Sequence, residues 1–141
     1  MMGFDIFFTI VDDYSHLTWV YLLKAKFDVS SLFHTFYTLI HTQSGTGIKS
    51  IHSDNAPEHA FLDYFREKRI LPFHSCVDTL QQNFVVERKH KHFLNVARVL
   101  PFQSNILLTY CINCILTDTY LINRIPSLII SNKTPFEILH N

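Results

Sequence analysis

Glu87 and Lys91 stand one helical turn apart in a segment, residues 83–100, that the sequence predicts to be a helix. At 100° per residue, Glu87, Lys91 and Arg98 fall on one side of this helix. They lie beside a predicted core stripe, which consists of Val86, His90, Phe93, Ala97 and Leu100. A carboxylate next to several cations can hold a divalent metal ion and follow a phosphate backbone. The same spacing also favours an ordinary surface ion pair, so the pattern alone leaves both interpretations open.

Asp54 is the second candidate because it directly follows a short predicted strand, residues 48–53. Functional groups of open α/β folds collect at the carboxyl ends of strands. The pair Asp54-Asn55 is also typical of a turn in which the aspartate accepts local hydrogen bonds, so a purely structural role remains open. We interpret the adjacent Asp12 and Asp13 as turn residues and not as an acid–base pair.

Cys111 and Cys114 form a C-x-x-C pattern inside a predicted helix, residues 106–124, that is apolar nearly all round. A structural zinc site needs four ligands, and a thioredoxin-like pair belongs to a strand–helix junction. Packing is therefore the favoured role, and a metal- or redox-binding module built on these cysteines is the least favoured function. With three cysteines in all, the chain is not a disulfide scaffold, and a reducing compartment is expected.

The elements that would position these residues alternate between strands and helices. Apolar, β-branched and aromatic runs predict strands at residues 6–11, 18–23, 48–53 and 70–76. Helices are predicted to begin near Asp28, Pro57, Asn83 and Ile106. We expect Asp28 to be the N-cap of its helix. The order β-β-α-β-α-β-α-α indicates an α/β fold whose first two strands form a hairpin.

The composition is that of a single globular domain, since 48% of the 141 residues are hydrophobic. The three glycines match neither a dinucleotide-binding nor a P-loop pattern. No apolar run reaches the roughly 18 residues that span a bilayer, and no signal peptide follows Met1, so no membrane partner is expected. The formal net charge is +0, but Arg88–Arg98 holds four Lys or Arg residues and no acid. The neutral total argues against a strong nucleic-acid binder, but this local excess of positive charge leaves nucleic-acid binding open.

Five regions of the chain, in order, resemble the integrase catalytic core of copia-type LTR retrotransposons. They are Phe8–Ser15 with Thr18–Lys24, Ile51–Asn55, Gln81–His90, Tyr120–Arg124 and Lys133–Glu137. The resemblance implies an RNase H-like α/β fold, with a mixed sheet flanked by helices. It also implies DNA integration by metal-dependent polynucleotidyl transfer, in which an Asp-Asp-Glu triad holds Mg²⁺ or Mn²⁺ at the reacting phosphate.

The same resemblance assigns roles to individual residues. Asp54 matches the second acid of the triad and Glu87 the third, so both are expected to be catalytic and metal-binding. Nucleic-acid contacts are expected for Asn55, Arg88, Lys89, Lys91 and Arg98. Among these, Lys91 matches a basic position that would contact DNA phosphate near the site.

The chain also departs from the family pattern. The first acid of the family lies on a strand that would precede residues 6–11. We therefore expect residues 1–141 to be an N-terminally truncated core domain that lacks the central first strand and binds metal weakly. The hairpin would then pair directly with strand 48–53 or leave apolar edges exposed, and the isolated chain is expected to aggregate. In addition, Phe84 replaces a glycine of the family, where a positive φ would disfavour Phe.

Two functions follow from the resemblance. The first is a retrotransposon integrase core that binds DNA but is catalytically incomplete in this chain. The alternative is a non-enzymatic pseudo-integrase remnant that at most binds nucleic acid or forms a homodimer through helix 106–124. The family points to the nucleus or the cytoplasm, and the sequence carries no targeting signal.

Overall fold

The computed structural model describes residues 6–53, 59–74, 84, 86–93, 95 and 108–141. The chain divides into two compact units. The central unit consists of Leu23–Val85, and the terminal unit joins Met2–Leu22 to Val86–Asn141.

The terminal unit begins with a β-hairpin. Strand β1 spans Ile6–Val11 and strand β2 spans Thr18–Leu23, and the two strands are hydrogen-bonded neighbours. In the connecting turn, the Asp12 carboxylate accepts hydrogen bonds from the amide (2.8 Å) and the hydroxyl (2.6 Å) of Ser15. Because Asp and Ser side chains stabilise turns in this way, the predicted hairpin and the turn role of Asp12 are confirmed.

Helices complete the terminal unit. Helix α3 covers residues 86–93, α4 spans Leu108–Ile122, a 3₁₀ turn spans Leu128–Ile130, and α5 spans Pro135–His140. A buried cluster of Val20, Phe93 and Ile115 joins β2, α3 and α4. Helix α5 starts with a capping box, in which the Thr134 hydroxyl accepts from the Glu137 amide and the Glu137 carboxylate accepts from the Thr134 amide.

The central unit contains two helices and a parallel strand pair. Helix α1 spans Asp28–Ser44, β3 spans Ser50–Ser53, α2 spans His59–Lys68, and β4 spans Leu71–His74. Strands β3 and β4 are parallel, with Ser50 opposite Leu71 and Ser53 opposite His74. The intervening α2 supplies the crossover that a parallel pair requires. Phe33 of α1 packs edge-on against Phe65 of α2, with ring centroids 5.5 Å apart.

Each predicted strand and helix is present in the predicted order wherever its residues are described, and the mixed α/β class is confirmed. The 3₁₀ turn and α5 were not predicted. Two details differ. The residue before α1 is Phe27, without a side-chain cap, so the predicted N-cap role of Asp28 is wrong. The Asp28 carboxylate instead accepts from the amide of Ala25 (3.1 Å), because Asp28 is already the first helical residue.

The second difference concerns the sheet. The described strands form two two-stranded sheets, β1-β2 and β3-β4, where the prediction had one mixed sheet. Among the described helices, none combines the length and the apolar character needed to cross a bilayer.

Candidate functional site

Helix α3 presents two different faces, and this division organises the site. Phe93 is 1% exposed and belongs to the buried cluster, whereas Val86 and His90 are half-buried. Glu87 and Lys91 are exposed. The predicted amphipathic pattern is therefore confirmed over residues 86–93, and it turns the candidate metal ligand and the candidate phosphate contact toward solvent.

Lys89 is held inside the terminal unit. Its ammonium donates hydrogen bonds to the carbonyl oxygen of His16 and to the hydroxyl oxygen of Thr18, each at 2.6 Å. Burial lowers the pKa of Lys89 to about 8. The sequence groups Lys89 with the nucleic-acid contacts, but in this structure its charge is used within the fold, between α3 and the hairpin.

Thr18 is 1% exposed and uses every polar group it has. Its amide donates to the side-chain oxygen of Asn123 (2.9 Å), and the Asn123 side-chain amide donates to the Thr18 carbonyl (2.7 Å). Its hydroxyl accepts from Lys89. The Asn123 side chain therefore hydrogen-bonds both the backbone amide and the backbone carbonyl of Thr18, as the backbone of a neighbouring strand would. Both buried backbone groups of Thr18 are satisfied.

Two further side-chain contacts join α3 to β1 and to α4. Thr9 of β1 and His90 share a hydrogen bond between Oγ1 and Nδ1 (3.1 Å). His92 Nε2 lies 2.9 Å from an Asp118 carboxylate oxygen of α4. The helix that carries Glu87 and Lys91 is therefore anchored to β1 and to α4, and this restricts the directions in which Glu87 can point.

The Glu87 carboxylate has the chemistry of a hard-metal ligand. It is exposed, and within the described residues it makes no ion pair. Oxygen ligands of this kind suit Mg²⁺ and Mn²⁺. In the described part of the chain, no three His, Cys, Asp or Glu residues form a group that could hold a metal ion.

Three of the predicted site residues lie outside the described residues, namely Asp54, Asn55 and Arg98. Asp54 directly follows β3, whose carboxyl end is paired in parallel with that of β4. Arg88 is exposed on α3. Cys114 is a free cysteine.

Sequence analysis overlooked Thr18 and Asn123 as organising residues, although both lie in segments that carry the family resemblance. The sequence feature that could have revealed this role is an asparagine at the end of a nearly apolar helix, since a buried side-chain amide needs specific hydrogen-bond partners. Arg124 beside it stacks on Tyr120 (3.7 Å from the ring centroid) and on Phe136 (4.5 Å). The two C-terminal segments with family resemblance therefore act structurally, by joining α4 to α5 within the terminal unit.

The buried Lys89 makes stability depend on pH. Unfolded Lys89 keeps its ordinary pKa near 10.5, while the folded value is about 8, so the unfolded chain holds more protons between these values. The free energy of unfolding is therefore expected to rise as the pH increases from 8 to 10. Urea titrations at several pH values, in EDTA, measure this slope.

Lys89→Met tests the origin of that slope, because it keeps the apolar stem and removes the ionisable group. We expect the rise between pH 8 and 10 to be smaller in this variant than in the parent chain. Lys91→Met is the matched control on the exposed face of the same helix and should retain the parent slope. Equal slopes in the parent and the Lys89 variant would contradict the assignment.

The comparisons with known proteins agree with these features. The chain is 33% and 34% identical, over 130 residues or 92% of its length, to retrovirus-related Pol polyproteins from transposons RE2 and RE1 of Arabidopsis thaliana. It is 30% identical over its full length to the Pol polyprotein from transposon TNT 1-94 of Nicotiana tabacum. The chain spans 9% of each Arabidopsis polyprotein and 11% of the tobacco one. No family model matches it.

Retroviral integrases are among the solved structures with the same fold. The catalytic core domain of HTLV-2 integrase in complex with magnesium, in its trimeric form, matches with a TM-score of 0.65 and 21% identity over 95% of this chain and 84% of that one. The simian T-cell lymphotropic virus intasome, in complex with the PP2A regulatory subunit B56 gamma, matches with a TM-score of 0.67 and 18% identity, covering 94% of this chain and 47% of that one. In sequence the chain is similar to a segment of copia-type retrotransposon Pol polyproteins, and its fold is that of the retroviral integrase catalytic cores.

Proposed function

We propose that the chain serves a retrotransposon integrase as a DNA-binding and metal-binding core segment, and that residues 1–141 alone do not join DNA strands. The single observation that carries this proposal is the two-faced helix α3. One face is anchored by Lys89, His90 and Phe93, and the other exposes Glu87 and Lys91 to solvent.

The proposed DNA contact uses the exposed face of α3. Lys91 and Arg88 would meet phosphate oxygens, and Asn55 and Arg98 join them by resemblance to the family. Lys89 is omitted from this set because its ammonium already donates to His16 and Thr18. Because α3 is already anchored, less conformational entropy is lost when its side chains bind a DNA backbone. This supports α3 as the DNA-contacting helix.

Asp54 and Glu87 are the residues proposed to hold a divalent ion. Both are hard oxygen donors, and the exposed Glu87 carboxylate is not neutralised by an ion pair within the described residues, so the donor set fits Mg²⁺ or Mn²⁺. The bound ion supplies charge neutralisation at the reacting phosphate. Glu87 would orient the ion, and Lys91 would orient the phosphate backbone.

The proposed lack of strand joining rests on the number of carboxylates. The resemblance assigns the second and third acids of the triad to this chain, and no residue of 1–141 matches the first. Two carboxylates hold a divalent ion less tightly than three, because each removed ligand is replaced by water. We therefore place the chain closer to a binding segment than to a complete catalyst.

A second copy of the chain is the other proposed partner. Helix α4 exposes Tyr110, Leu116, Tyr120 and Leu121, and an exposed apolar surface of this kind is typical of an interface. Integrase cores of the same fold have been solved in dimeric and trimeric forms. A homodimer formed through α4, acting on DNA in the nucleus or cytoplasm, is part of the proposal.

Calorimetric titration with Mn²⁺ and a strand-joining assay test the proposal together. The parent chain is expected to bind Mn²⁺ weakly and to give no joined product. Asp54→Asn and Glu87→Gln should each weaken Mn²⁺ binding by about tenfold or more, since each removes a charged ligand and leaves an isosteric amide.

Asp13→Asn is the matched control, because Asp13 is an exposed carboxylate in the hairpin turn, and its Mn²⁺ affinity should equal that of the parent. Joined product that disappears in Asp54→Asn would show an active enzyme and contradict the incomplete-catalyst proposal. Unchanged Mn²⁺ affinity in both site variants would contradict the metal assignment.

A further inference from the structure

The central unit contains a groove between α1 and α2 that is separate from α3. Its volume is about 560 Å³, within the range of small-ligand sites. The lining residues come from one face of α1 and from the last turn of α2. They are His34, Tyr37, Thr38, His41, Tyr64 and Lys68, with Thr42 and Glu67 at the edge.

Four rings form the wall of the groove. Tyr37 and Tyr64 are nearly perpendicular to each other, with centroids 6.0 Å apart. An imidazole accompanies each of them, His41 stacked on Tyr37 at 6.2 Å and His34 tilted against Tyr64 at 3.8 Å. The groove thus offers aromatic faces in two directions, and planar groups can stack on either.

The polar atoms of these rings are unused within the described part of the chain. Neither tyrosine hydroxyl and no nitrogen of His34 or His41 has a hydrogen-bond partner there, whereas the threonine hydroxyls of the groove donate to α1 carbonyls. Burial raises the pKa of Tyr64, so its hydroxyl is protonated at neutral pH and can donate. The groove therefore presents donors beside its stacking surfaces.

One cation lies over both tyrosines. Lys68 Nζ is 5.9 Å from the centroid of the Tyr37 ring and 5.9 Å from that of Tyr64. The neighbouring Glu67 carboxylate lies 3.3 Å from Lys68 Nζ, and its hydrogen bond raises the pKa of Lys68, which keeps the ammonium charged. Glu67 is the acidic residue lining the groove, and it reduces the net attraction for an anion.

We propose that the groove between α1 and α2 binds single-stranded nucleic acid, with a base stacked on Tyr37 or Tyr64 and a phosphate near Lys68. Aromatic faces combined with a cation are the features that bind single strands, because every base has a π-face and every nucleotide carries a phosphate. A duplex keeps its bases inside the stack and cannot use these rings. The site goes beyond the proposed function, since it needs neither Glu87 nor a metal ion.

Fluorescence anisotropy of the 141-residue chain in EDTA tests this site. The probes are a labelled ten-nucleotide oligo(dT) and an abasic strand of the same length and charge. The oligo(dT) should bind more tightly than the abasic strand, by about 5- to 150-fold for one stacked base. The double variant Tyr37→Leu/Tyr64→Leu should lose this preference, because leucine keeps apolar bulk but has no ring.

The matched control is Tyr14→Leu, an exposed tyrosine of the hairpin turn, which should bind both probes as the parent does. Two surface substitutions, Lys68→Gln and Glu67→Gln, keep the proposal testable if the double variant misfolds. Lys68→Gln should weaken oligo(dT) binding and lower its salt slope by about one, whereas Lys26→Gln should not. Glu67→Gln should strengthen binding, because it removes a repelling charge.

Several outcomes would overturn the proposal. Equal affinity for the abasic strand and oligo(dT) would mean that no base stacks in the groove. Preference for duplex DNA, abolished by Lys91→Gln and unaffected by the groove variants, would assign all binding to α3. If the parent chain binds oligo(dT) in the groove but shows no Mn²⁺ binding in calorimetry, only the proposed function is contradicted. A failure of the groove proposal can therefore be distinguished from a failure of the proposed function.

Discussion

Asn123→Ala is expected to lower the free energy of unfolding by about 2–5 kcal/mol. The Asn123 side chain is the partner of both backbone groups of Thr18, at 2.9 and 2.7 Å, in a position where Thr18 is 1% exposed. Alanine removes the donor and the acceptor together, and each buried group left unpaired costs about 1–3 kcal/mol. The backbone bond from Phe136 to the Asn123 carbonyl does not depend on the side chain and should persist.

Urea unfolding followed by circular dichroism measures this loss. Asn113→Ala is the matched control, because Asn113 lies in the same helix with its side chain exposed, and it should change stability by less than about 0.5 kcal/mol. Asn123→Asp keeps the acceptor for the Thr18 amide but faces the Thr18 carbonyl with a second oxygen. It should therefore be no more stable than the alanine variant. Equal losses in Asn113→Ala and Asn123→Ala would refute this account.

Phe93→Ala is expected to destabilise the chain by about 3–5 kcal/mol. Phe93 is 1% exposed and packs in the cluster with Val20 of β2 and Ile115 of α4, with Ile122 against it. Removing the ring takes away buried apolar surface and leaves a cavity that the neighbouring residues of β2 and α4 can fill only in part. Because Phe93 holds α3, the same variant should also loosen the helix that carries Glu87.

The unfolding midpoint in urea and the Mn²⁺ affinity are both measured for this variant. Phe27→Ala is the control, since Phe27 is 78% exposed ahead of α1, and it should leave both quantities near their parent values. Phe93→Leu should recover much of the stability, because leucine fills most of the volume. A loss below 1 kcal/mol in Phe93→Ala would show that the cluster is not a core.

Local sequence patterns were sufficient to predict most of the strands and helices. Continuous runs of apolar, β-branched and aromatic residues predicted β1 and β2, and the turn chemistry of Asp12 and Ser15 predicted the hairpin between them. The core stripe of α3 was predicted from helical spacing, and the structure buries Phe93 as expected. These features depend on residues close in sequence, whose geometry the backbone period determines.

Other features required contacts between residues far apart in the chain. Helical spacing places Lys89 beside the charged residues of α3, yet its ammonium reaches His16 and Thr18, more than seventy positions away. The short helix α5 was not predicted, because six residues carry too little periodicity, although Thr134 and Glu137 form a capping box. The N-cap role of Asp28 failed for a local reason, since the helix already begins at Asp28 and its carboxylate accepts from the amide of Ala25 in the preceding turn.

The amino-acid sequence by itself indicated the similarity to copia-type integrase cores, the order of the strands and of helices α1 to α4, and the residue types that suit a metal and a phosphate backbone. Those follow from motifs and local periodicity, which do not depend on how distant segments meet. Only the tertiary structure decided that Lys89 faces inward while Glu87 and Lys91 face solvent, that Asn123 satisfies Thr18, and that α1 and α2 enclose an aromatic groove. The physical reason is that burial and hydrogen bonding are properties of side chains brought together from distant positions, and one chain segment does not contain both partners.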